Sequence, residues 1–150
     1  MKSFIRPFTL RHQQLKELRY NLYVYSKNEG SGIVIQDIND KCITLIVKNT
    51  ESVYRNELNS CIEGVKWILD KYENNKELQK HVQIKLYSNS VYCVNFIKEW
   101  MTIWKETNFE NRPNKDLLQK LQEQINKCTI NSNWVHDKYN DIYQSLIKQI

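Results

Sequence analysis

The stretch from Val82 to Trp104 constrains this chain more than any other, because its hydrophobic period changes partway along. Val82, Ile84 and Leu86 alternate with polar residues, as on a half-buried strand. From Val91 the apolar positions recur at three and four, so that Val91, Val94, Ile97, Met101 and Trp104 share one face of a helix over residues 90–104. Ser88, Asn89 and Ser90 join the two, and their side-chain oxygens suit the capping of a helix start.

The other segments build around this unit. Residues 8–19 place Leu10, Leu15 and Leu18 near one face of an amphipathic helix. Three β-rich runs follow, at 22–25, 33–35 and 42–47, with turns around 29–32 and 37–40. Short polar turns between such runs predict an antiparallel meander. Residues 54–72 form a second amphipathic helix, lined by Leu58, Cys61, Ile62, Val65, Ile68, Leu69 and Tyr72. Beyond residue 104, Asn114 is placed as the N-cap of a helix carrying Leu117, Leu118, Leu121 and Ile125, with Asp116 favoured in its first turn by the helix dipole. A short strand at 130–135 leads into a last helix bearing Tyr139, Ile142, Tyr143, Leu146 and Ile150. This order predicts an α/β fold: a five-stranded mixed sheet, made of a three-stranded antiparallel meander plus parallel strands, flanked by helices.

With 150 residues the chain reads as one domain over 21–150, preceded by a basic helical extension over 1–20. That extension holds Lys2, Arg6, Arg11 and Lys16 against the single acid Glu17. A mitochondrial presequence has this composition; a short basic helix lying on the domain is the preferred reading, since no long leader separates it from the first strand. The net charge of +5 is compatible with a polyanionic partner without requiring one. No apolar run approaches the length needed to cross a bilayer.

Cys42, Cys61, Cys93 and Cys128 are widely separated and none stands at metal-ligand spacing from a histidine, so they read as buried reduced thiols in an intracellular, reducing compartment. His12, His81 and His136 read as surface or packing residues. Richness in Asn, Lys, Ile and Tyr fits an AT-rich genome, which places the chain in a mitochondrion or a virus-infected cytoplasm as readily as elsewhere.

Leu86-Tyr87-Ser88-Asn89-Ser90 is similar to the L-Y-T-D-S segment of the ribonuclease H (type 1) family, and Arg55-Asn56-Glu57-Leu58 is similar to that family's R-x-E-L helix start. The resemblance extends over about residues 21–150 and implies a ribonuclease H-like fold. It also implies a catalytic set of four carboxylates, which in the family hold two Mg²⁺ ions for phosphodiester hydrolysis. Only Glu57 is retained at its family position. Ser26 stands at the first-strand position, Asn89 at the strand-four position and Gln144 at the last-helix position, each in place of a carboxylate. Asp141, one turn before Gln144, is a possible substitute, and Glu29 a more distant one. The family's glycine-histidine stretch before the last helix is missing, because Trp134-Val135-His136 runs almost straight into Asp137. One or two carboxylates leave most of the mutual repulsion of two divalent ions uncompensated, so no metal is expected; Glu57 and Asp141 would be the ligands if Mg²⁺ or Mn²⁺ bound.

The nucleic-acid side of the resemblance is fuller. Tyr92, Trp100 and Trp104 stand where the family forms an aromatic channel against the DNA strand, and flat rings suit stacking on sugar or base. Asn114-Lys115-Asp116 reproduces a phosphate-pocket turn, with Ser52 as the hydroxyl partner but Thr50 where an arginine is expected. Val53 and Tyr54 occupy the positions that read RNA hydroxyls. The segment 104–110 mixes charge signs where the family's basic handle would be. Each of these residues has a plainer role open to it: core aromatics for Trp100 and Trp104, helix caps for Asn89 and Asn114, a partner for Arg55 in the case of Glu57.

Three functions compete. The first is a catalytically degenerate ribonuclease H-like domain, a pseudoenzyme that binds an RNA/DNA hybrid or a DNA strand, or serves as a structural part of a nucleic-acid complex. The second is an active divergent metal-dependent hybrid endoribonuclease on a rebuilt site. The third is a protein-protein interaction module on the same fold, its 9 Tyr and 4 Trp serving a partner surface. The carboxylate losses argue against an enzyme and place the first ahead.

Overall fold

In the computed structural model of the protein, residues 11–48, 51–136 and 140–150 are described. A short helix α1 (His12–Glu17) precedes a hairpin and a third strand, β1 (Arg19–Lys27), β2 (Gly30–Gln36) and β3 (Cys42–Lys48). The long helix α2 (Val53–Asp70) and one turn of helix α3 (Lys76–Gln79) lead to β4 (Gln83–Ser88). Next come α4 (Val91–Asn95), a π-helical turn (Phe96–Trp100) and α5 (Met101–Trp104), then α6 (Lys115–Ile125), β5 (Thr129–Trp134) and α7 (Asp141–Gln149). The sheet runs β3-β2-β1-β4-β5, with the meander antiparallel and β1-β4 and β4-β5 parallel. The expected mixed sheet is therefore the observed one. Among the described residues no helix is long and apolar enough to cross a membrane.

Strand alternation sends Tyr20, Leu22, Val24, Ile33, Ile35, Ile84 and Leu86 to one face, where they pack under α2, α4 and α6. The opposite face carries a smaller cluster in which α7 lays Tyr143 and Leu146 on Val34 and Tyr23. Helix α2 crosses β1 at close range at Gly64, where a Cβ would lie 2.6 Å from Leu22 Cδ1. The N-terminal turn of α2 is tied to the C-terminal end of β1, where Asn56 Nδ2 donates to Lys27 O at 2.8 Å. Since β1 and β4 run parallel at the sheet centre, their carboxyl ends and the starts of α2 and α4 converge on one rim, where α/β sheets place ligands.

Several boundaries differ from expectation. Strand β1 reaches back to Arg19, two residues ahead of the expected domain start, and α1 ends at Glu17 so that Leu18 can enter the core. Leu10, Thr50 and Tyr139 lie outside the described residues. The first turn is at 28–29, and Gly30 belongs to β2; its φ of 151° and a Cβ position 2.3 Å from Val47 O exclude any side chain there. Helix α3 was not expected; Asn75, whose side chain accepts from Leu78 N, is the local signal for it. Cys61 and Cys93 are buried as expected, whereas Cys42 is exposed at the start of β3, an edge strand, and Cys128 is half-buried.

Helix 90–104 is interrupted. At 3.6 residues per turn, positions eight apart point about 80° away from each other. The π turn at 96–100 absorbs one extra residue, so Tyr92 and Trp100 regain two-turn spacing and meet with ring centroids 5.8 Å apart. The same rotation leaves Val91 off the buried face, 56% exposed.

Candidate nucleic-acid interface and carboxylate site

The rim divides into a polar pocket and an aromatic channel. In the pocket, Glu57 lies in the first turns of α2 and is only 9% exposed. Its Oε2 accepts a 2.7 Å hydrogen bond from Ser90 Oγ. Ser90, not Asn89, caps α4: its Oγ accepts from Cys93 N at 3.1 Å while its own N–H donates to Ser88 Oγ at 3.0 Å. Glu57 is thus a partner of Ser90 rather than of Arg55. Burial pushes its carboxyl above the usual carboxylate value, and the Ser90 hydroxyl pulls it part of the way back.

That shift has a sign for stability. A carboxyl raised on folding stabilises the protein fully below its unfolded value, near 4.5, and that contribution is lost as pH rises through the folded value. Glu57→Gln keeps an acceptor for Ser90 without the buried charge. Thermal melts should therefore show the variant more stable at pH 7 by about 1 kcal/mol, or about 2–4 °C, and show the gap closing at pH 4. An equal gap at both pH values would mean that Glu57 does not ionise in a buried site.

Ser26 lies one residue before the end of β1, and its hydroxyl is engaged. It lies 2.8 Å from Ser31 Oγ and 3.3 Å from Ser60 Oγ, and Ser60 in turn donates to Glu57 O at 2.9 Å. Asn89 follows β4; its main-chain oxygen accepts from Trp134 Nε1 at 3.2 Å, while its buried Oδ1 has no hydrogen-bond partner. Asp141 and Gln144 are exposed in the first turns of α7. Among the described residues no three His, Cys, Asp or Glu side chains are grouped to hold a metal ion. The side-chain groups bonded to Glu57 are the hydroxyls of Ser90 and, at its main chain, Ser60, which bring oxygen but no charge.

The aromatic channel is continuous. Tyr92 meets Trp100 at 5.8 Å, Trp100 stacks on Trp104 at 5.2 Å and 20°, and the Arg112 guanidinium sits 4.1 Å over the Trp104 ring. With Tyr54, Val91, Pro113 and Asn114 these residues line a cavity of about 540 Å³. Behind Trp104, the fully buried rings of Phe96 and Phe109 form a base, with centroids 6.0 Å apart. Phe109 adopts a left-handed φ of 58°, and its N–H donates to Trp104 O at 2.9 Å, turning the chain back toward the channel.

Asn114 borders this cavity but does not cap α6 with its side chain. Its φ is 63°, and its Oδ1 accepts from Arg55 Nη1 at 3.2 Å. Arg55 also forms a two-pronged ion pair with Asp116, at 3.1 and 2.9 Å, and this holds the Asp116 carboxyl down to about 2. Ser52 caps α2, accepting from Arg55 N at 3.3 Å. Sequence reasoning placed Tyr54 on the nucleic-acid side but missed Arg55, Arg112 and Val91 as members of this surface. The signal for Arg55 was present, since it stands three residues after Ser52 on the same helix start.

A model of the RNase H family matches residues 22–141. The chain is 30% identical over 112 residues to a ribonuclease H of Marinobacter nauticus, covering 71% of this chain and 69% of the relative. It is 34% identical over 86 residues to a ribonuclease H of Hydrogenovibrio crunogenus, covering 54% of this chain and only 52% of the relative. Among solved structures, LC9-RNase H1, a type 1 RNase H with the type 2 active-site motif, superposes with a TM-score of 0.66 at 14% identity, over 87% of this chain and 71% of the other. RNase H1 of the archaeon Halobacterium salinarum gives 0.59 at 12%, over 87% and 92%. The foamy viral protease-reverse transcriptase, solved with an RNA/DNA hybrid, gives 0.56 at 13%, over 99% and 22%. The fold and the pocket at its strand ends define an RNase H-like α/β domain. The chain belongs to the RNase H family.

Proposed function

We propose that this RNase H-like domain holds nucleic acid and does not hydrolyse it. The observation that carries the reading is the unbroken wall Tyr92–Trp100–Trp104, closed by Arg112, beside a pocket that contains one buried carboxylate. Rings at this spacing accept sugars and bases, and Arg112 supplies charge for the backbone between them. The chain's net charge of +5 favours the same polyanion. Its relatives are named for ribonuclease H, and a fold neighbour is solved with an RNA/DNA hybrid, so a hybrid or DNA strand is the ligand class this surface inherits.

The pocket supports the second half of the reading. In the family reaction, Mg²⁺ activates water and stabilises the leaving oxygen. Two such ions need clustered negative charge, and Glu57 with Asn89 offers one charge at most. The hydroxyl of Ser26 is spent on Ser31 and Ser60. This donor set does not fit a two-ion centre. Asp141 would have to be recruited for even one ion.

A paired assay tests both halves: purified chain with a labelled RNA/DNA hybrid and with the DNA strand alone, in Mg²⁺ or Mn²⁺, scored for cleavage and for binding across a salt series. Binding that weakens with salt, without cleavage, is the expected result. Cleavage that disappears in Glu57→Gln would overturn the inactive half. Absence of binding to either ligand would overturn the nucleic-acid half and turn the search to protein partners.

A further inference from the structure

We propose that the channel takes an unpaired DNA strand in preference to an RNA/DNA hybrid, and that Tyr54 is the residue that decides this. The inference rests on the nucleic-acid-binding reading above and narrows its ligand.

Tyr54 stands on the first turn of α2, 56% exposed, at the mouth of the cavity. Its ring meets Tyr92 at 5.6 Å and 64°, edge to face. It therefore extends the wall by one ring, and the series Tyr54–Tyr92–Trp100–Trp104 runs without a gap to the guanidinium of Arg112. Four adjoining rings offer aromatic surface, which binds by stacking and tolerates any base.

A duplex cannot use that surface fully. Its bases are paired and stacked on one another, and a protein that grips an A-form or hybrid groove does so largely through hydrogen bonds to 2′-hydroxyls and phosphates. The rim offers few such groups: Val91 is exposed at the cavity, half-buried Val53 precedes Tyr54 on the helix, and Asn114 Oδ1 already accepts from Arg55. A single strand can turn its bases outward onto the rings while Arg112 meets a phosphate. Ring surface, one cation and an apolar rim together match unpaired DNA.

The test is fluorescence anisotropy on the full chain at fixed salt, comparing labelled oligothymidylate of about twelve nucleotides with an RNA/DNA hybrid of equal length. The single strand should bind about tenfold or more tightly than the hybrid. Tyr54→Ala should weaken the single strand about tenfold and leave the hybrid within about twofold, while Tyr54→Phe, which keeps the ring, should restore single-strand affinity. Tyr54 is exposed, so an unchanged melting curve verifies that the alanine variant folds. Equal or tighter hybrid binding, or equal loss on both ligands in Tyr54→Ala, would overturn this inference and leave the broader reading standing. If neither ligand binds, both fall.

Discussion

Replacing Trp100 and Trp104 together by alanine is expected to weaken DNA binding about a hundredfold. Each base stacked on an aromatic ring contributes about 1–3 kcal/mol, and about 1.4 kcal/mol is tenfold in affinity. The two losses will not simply add, because the rings stack on each other at 5.2 Å and support one surface. Neither side chain carries charge, so the slope of log affinity against log salt should stay close to the wild-type value while the whole line drops. A changed slope with little loss at low salt would mean that the cations do the binding and the rings are packing residues. Unchanged affinity in the double variant would remove the observation on which the proposed function stands.

Phe109→Ala should cost about 3–5 kcal/mol of stability, lowering the melting temperature by about 10 °C for a chain of this size. The ring is fully buried against Phe96, which in turn packs on Trp104, so its removal opens a cavity directly behind the channel. The backbone adds to the loss. Asn108, Phe109, Asn111 and Asn114 all take positive φ, which asparagine tolerates and phenylalanine resists, and the buried ring is what offsets the strain at Phe109. Phe109→Gly should lose the same ring yet be no less stable than Phe109→Ala, since glycine accepts a φ of 58° freely. Both variants should also bind DNA less tightly, because the loop carries Arg112, Pro113 and Asn114 to the cavity. A loss under about 1 kcal/mol would show that the loop is held by other contacts.

The two results would separate the layers of the site. The tryptophans form its surface and Phe109 its foundation, while Tyr54 sets which ligand fits. Glu57 stands apart from all three, in a pocket whose hydrogen bonds are directed inward to Ser90 and to the main chain of α2.

The amino-acid sequence by itself determined the sheet and its helices. Period-two runs such as Val82–Leu86 and period-3.6 runs such as Leu58–Tyr72 state which face of each element avoids water, and burial is the largest favourable term in folding. Those faces leave open the strand order, the parallel pairing of β1 with β4 and the burial of Glu57 near its helix start, which the packed sheet supplied. What tertiary structure alone decided beyond this concerns groups with several partners within reach. Arg55 had Glu57 two residues away, and paired instead with Asp116, 61 positions on, because α2 and α6 pack side by side. Asn114 read as a cap but turned its oxygen to that arginine, and Ser90 took the capping role from Asn89. The π turn left no mark in the hydrophobic period, yet it is what aligns Tyr92 with Trp100. Hydrophobic pattern is written locally, residue by residue, whereas the choice among polar partners waits until distant segments have been brought within about 3 Å of one another.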